Sequence, residues 1–75
     1  MALTFEMNDR VEIHSTNDST LDGKQATVVG VSSVFAEMAF YIISLDEPHT
    51  YEIVKDTEIT VSAITMTEHC LRKVS

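Results

Sequence analysis

Seventy-five residues at 44% apolar content, with two glycines and one proline, describe a single globular domain over residues 1–75 and exclude a disordered chain. The net charge of −7, from 12 acids against 5 bases, argues against nucleic acid as a partner, because Lys and Arg on phosphates dominate such binding. It suits solubility or a cationic partner. No apolar run approaches the ~18 residues of a membrane span, and Cys70 as the only cysteine excludes an internal disulfide and fits a reducing, cytoplasmic compartment.

From the N-terminus, Leu3, Phe5 and Met7 alternate with Thr4 and Glu6, which predicts a short lead-in strand with Phe5 as a core plug. Met1 to Arg10 lacks a basic region ahead of an apolar stretch, so no signal peptide is expected. Asn8-Asp9 marks a turn. Arg10 to His14 alternates Val11 and Ile13 with polar residues and predicts a half-buried strand. Ser15 to Gly23 is small and polar except for Leu21. It reads as an exposed loop closed by Asp22-Gly23, with Leu21 tucked back against the core.

Gln25 to Ser33 is the second main strand, with Val29 and Val31 expected on one face and Val28 on the other. Gly30 inside it predicts a bend or bulge. Val34 to Phe40 has six apolar residues of seven, Glu37 being the charge. Tyr41 to Leu45 resumes a strand, with Tyr41, Ile43 and Leu45 on one face. Asp46-Glu47-Pro48-His49 is expected to end it, since proline cannot continue a ladder.

Thr50 to Thr57 reads as either an edge strand or a folded loop. Glu58 to Met66 is the last long strand, and its change of parity predicts a bulge near Ala63-Ile64. Thr67 to Cys70 reads as one helical turn capped by Thr67, and Leu71 to Val74 as a closing strand. The expected fold is all-β, of five to six strands.

Asn8-Asp9-Arg10-Val11-Glu12-Ile13, then a loop, then Asp22-Gly23-Lys24-Gln25-Ala26-Thr27-Val28-Val29 resembles the opening of KOW-type SH3-like barrels. The tail from Ile64 to Val74 resembles their end, a fourth strand, one 3-10 turn and a short fifth strand. The resemblance implies a small SH3-like barrel with a 3-10 turn before its last strand. Asn8 and Ala26 stand where that family usually has glycine, and the basic loop residues of its RNA-binding members are missing. The chain also looks similar to small SH3-like proteins from phages and bacteria, which imply no activity.

Several side-chain constellations have the residue types that chemistry needs. His14, His49, His69 and Cys70, with Asp46, Glu47 and Glu68, have ligand types for zinc but not its usual spacers. Neither a Cys70–His69 nucleophile nor a phosphate loop or nucleophile elbow is expected to operate. An aromatic cage would draw on Phe40, Tyr41 or Tyr51 with Asp46 or Glu47. The expectation is therefore a non-enzymatic module with no metal, cofactor or catalytic residue.

The apolar segment has two readings. Either it docks on a partner or a second copy through Val34, Phe35, Met38 and Phe40, or it caps the open end of its own barrel. Self-association is expected, because a chain this short buries only about 60% of the surface its unfolded form exposes. The alternative function, a KOW-like nucleic-acid- or ribosome-associated protein, would need Arg10, Lys24, Arg72 and Lys73.

Overall fold

The structure is a computed structural model that describes residues 4–36 and 38–74, with backbone alone at residues 52 and 53. Among these residues the chain is all-β. Strands β1 (Arg10–Ile13), β2 (Gln25–Phe35), β3 (Met38–Val54) and β4 (Thr57–Thr67) are followed by a 3-10 turn (Glu68–Cys70) and β5 (Leu71–Lys73). They form one open antiparallel sheet in the order β4-β3-β2-β1-β5. Among the described residues, no helix is long and apolar enough to cross a membrane.

The core follows from the period-two alternation of strands. Val11 and Ile13 of β1 point inward, as do Ala26 and Val28 of β2 and Ala39, Tyr41, Ile43 and Leu45 of β3. Leu71 enters from β5, and Leu21 folds back from the long loop as expected. Ile64 and Met66 of β4 pack against the rim of this cluster. Beyond Val28, β2 leaves the core, and its last seven residues are exposed or half-buried.

Phe5 is buried, but the segment around it forms bends and turns instead of the expected strand. Asp9 accepts a bond from the Glu6 amide through its carboxylate and returns one to the Glu6 carbonyl, which closes a local turn. Asn8 takes a φ of 74°, a left-handed conformation that asparagine tolerates better than most residues. Its amide is spent on the Val28 carbonyl at 2.7 Å. Leu3 lies outside the described residues.

The bulge at Gly30 is present, and it overturns the facing of its neighbours. Val28 lies opposite Ile43 and Gly30 opposite Ile42, so Val29 is the extra residue. Val31 then pairs with Tyr41 and comes to the Val28 face. One inserted residue thus separates Val29 from Val31. Pro48 likewise does not end β3. Ser44 pairs with Ala63 and His49 with Val61, so Leu45–Pro48 bow out opposite the lone Ser62. Proline's missing amide is harmless where the ladder is already interrupted.

The irregularity expected within β4 at Ala63-Ile64 therefore has its extra residues on β3. The ladder resumes from His49 to Val54, which resolves Thr50–Thr57 as strand and turn, with Asp56 at φ 67°. The 3-10 turn begins at Glu68. Thr67 occupies its cap position in extended conformation but makes no side-chain cap bond. Its buried hydroxyl has no partner among the described residues. β5 returns the chain to β1, pairing Leu71 with Ile13 and Lys73 with Val11.

Candidate functional site

The apolar segment 34–40 forms the end of the β2–β3 hairpin. Val34 pairs with Ala39 and Phe35 with Met38, and Ala36 turns the chain at φ 52°. The bulges at Val29 and Ser32 carry this end away from the core. Phe35 is 74% exposed and Val34 47%. Met38 and Phe40 are half-buried.

The register sorts the four residues by face. Ala39 is buried with Tyr41 and Ile43 on the core face, and Val34 sits beside it. Phe40 pairs with Ser33 on the opposite face, which also carries Met38, Phe35 and, further along, Ile42. Phe35, Met38, Phe40 and Ile42 thus form an apolar strip on the side of the sheet away from the core. Thr65 and Thr67 of β4 flank it, opposite Ile42 and Phe40. Val34 is not part of this strip.

The residues that would bind nucleic acid are largely engaged elsewhere. Arg10 reaches across β2 and donates to both Asp46 carboxylate oxygens, at 2.7 and 2.5 Å, and to the Thr27 hydroxyl at 2.8 Å. This bond from Arg10 holds the Asp46 carboxyl below its ordinary range and pushes the guanidinium up. Arg72 pairs with Glu12, and Lys73 lies 3.7 Å from Asp9. A phosphate contact by any of the three would compete with a carboxylate already in place.

Among the described residues, no three His, Cys, Asp or Glu side chains gather as a metal site. His14 contacts the Ser15 hydroxyl at 3.0 Å, and the Cys70 thiol faces the Ser15 carbonyl at 3.7 Å. His49 is only 5% exposed. Its Nε2 lies 3.8 Å from an Asp18 oxygen, and its ring stands edge-on to Tyr51 with centroids 4.5 Å apart. Asp18 is held below the usual carboxylate range chiefly by the Thr20 hydroxyl, with the Thr20 amide and His49 adding to it. This pair ties the long loop to the bulge of β3.

The aromatic cage does not assemble. Tyr41 is fully buried, Phe40 points to the other face and Tyr51 lies beyond the bulge. Sequence reasoning missed one feature, an open cleft of about 350 Å³ lined by Gly23, Lys24, Gln25, Asp46 and Glu47. It exists because the Asp22-Gly23 turn faces the bowed Leu45–Pro48 segment, and neither proximity leaves a local sequence signal. The chain matches no family model, no curated protein and no solved structure.

Proposed function

We propose that the protein is a non-enzymatic protein-interaction or assembly module, folded as a small SH3-like barrel, that docks a protein partner through the strip Phe35, Met38 and Phe40, while Val34 lies on the other face of the same hairpin. The exposure of Phe35 carries this reading, because a large aromatic at a hairpin tip loses water contact only when something covers it. The strand order, the return of β5 to β1 and the 3-10 turn before β5 support the barrel family. So does Asn8, whose positive φ lets it stand where those barrels carry glycine. The alternative, a KOW-like nucleic-acid-associated role, is weakened by the pairing of Arg10, Arg72 and Lys73 with acids.

The test is a photo-crosslinking phenylalanine analogue at position 35 in the producing cell. A discrete protein adduct is expected, absent when the analogue stands at the exposed Ser32. No adduct, or the same adducts from both positions, removes the reading.

A further inference from the structure

The two edges of the sheet are protected very differently. β5 is three residues long and carries Arg72 and Lys73, the short, charged edge by which natural sheets avoid pairing with other chains. β4 is the other edge, and it is eleven residues long, Thr57-Glu58-Ile59-Thr60-Val61-Ser62-Ala63-Ile64-Thr65-Met66-Thr67. It contains no proline, glycine or lysine and one ionisable residue, Glu58. Its inner side pairs with β3 over most of its length. Among the described residues, no backbone hydrogen bond from outside that ladder reaches it. Half of its amides and carbonyls therefore face outward as an unfilled template.

We infer that β4 is the self-pairing edge of the protein, joining two copies antiparallel about a two-fold axis near Ser62. Full overlap of the two strands centres on Ser62, which then faces its own counterpart. Glu58 falls opposite Met66, Ile59 opposite Thr65 and Val61 opposite Ala63. No ionisable group meets another, so the net charge of −7 per chain is not concentrated at the seam. A second copy is the occupant because the same strand supplies both sides of a two-fold interface. The assembly closes at the dimer, because a two-fold seam uses β4 of both copies and leaves none of that edge free. The inference does not depend on the Phe35 strip.

Two charge variants test it. Like charges directly opposite one another across a strand pair are unfavourable, so Ser62→Lys and Ser62→Glu are each expected to weaken dimerisation by about two- to five-fold. Ser62 is exposed and faces the interruption in β3, so both variants should keep the far-ultraviolet circular dichroism of the parent. An equimolar mixture of the two should restore the dimer in light scattering, and hydrogen exchange at β4 amides should slow as concentration rises. A wild-type monomer at every concentration overturns the inference. So does a larger assembly, or a dimer indifferent to both Ser62 variants. A dimer lost in Phe35→Ser but kept in the Ser62 variants would overturn it while leaving the hairpin strip as the interface.

Discussion

Phe5 and Tyr41 are locked together twice. Their rings meet edge to face with centroids 5.2 Å apart, and the Tyr41 phenol oxygen accepts the backbone amides of both Thr4 and Phe5 at 3.0 and 3.1 Å. Tyr41 stands near the start of β3 and is fully buried, so its hydroxyl is a fixed acceptor set into the core. Tyr41→Phe keeps the ring contact and removes the acceptor of both amides. The expected loss is about 1–3 kcal/mol, the cost of leaving the buried Phe5 donor unpaired, since Thr4 is exposed and its amide can turn to water. A lower urea midpoint at unchanged slope checks it, together with faster hydrogen exchange at Thr4 and Phe5. An unchanged midpoint would mean that the N-terminal segment contributes nothing through Tyr41.

The two glycines make opposite predictions. Gly23 turns the chain at φ 93°, and a Cβ there would meet no atom within 4 Å. Gly23→Ala therefore tests conformation alone, with an expected cost of about 1–2 kcal/mol. Gly30 has ordinary φ, and its added Cβ would sit 3.9 Å from the Ile42 side chain, a normal contact. Gly30→Ala is expected to stabilise by about 0.5–1 kcal/mol, by reducing the freedom of the unfolded chain. Thermal midpoints moving in opposite directions would bear this out, and parallel losses would contradict the assigned backbone at Gly30.

Gly30 also shows where sequence reading stops. Its presence in a valine-rich run announced a bulge, and the alternation of Val11, Ile13, Tyr41 and Ile43 announced the core strands. The facing of Val31 was not legible, because it depends on how many residues the bulge inserts against β3. Pro48 was a true local signal with a misleading consequence. It interrupts the ladder, but the pairing of His49 with Val61 continues the strand, and that pairing is a long-range fact. Val34 and Phe40 looked like one patch because an apolar run has no parity until its register is known. The cleft at Lys24 and the Asp18–His49 pair both join the long loop to β3, beyond the reach of any local window.

Acid should weaken the fold through Asp46 and Asp18. Both carboxyls lie below their ordinary value of 3.8, Asp46 through the bond from Arg10 and Asp18 through the Thr20 hydroxyl. Well above that value, folded and unfolded chains are both ionised there, and the full contribution is present. As pH falls below it, the unfolded chain takes up the proton first. Stability then declines until the folded carboxyls protonate as well. Both groups are near solvent, so the effect of each is modest. Urea midpoints measured against pH should fall less steeply below about pH 4 in Asp46→Asn and Asp18→Asn than in the parent. Parent-like slopes in both variants would show that neither bond discriminates between the two states.

The last prediction separates the two roles open to the apolar tip. If Phe35 capped the core, its loss would cost as much as other buried aromatics, about 3–5 kcal/mol. The bulges at Val29 and Ser32 instead carry it outward, and most of its surface meets solvent. Phe35→Ser is therefore expected to change stability by no more than about 0.5 kcal/mol, as surface substitutions generally do. Ile43→Ala, at a fully buried position of the same strand pair, should cost about 2–5 kcal/mol and serves as the internal comparison. The two variants measured side by side by urea denaturation decide the matter. Equal losses would return Phe35 to the core and remove the apolar strip as a docking surface. A neutral Phe35→Ser beside a damaged Ile43→Ala would leave an aromatic side chain that the fold itself does not require.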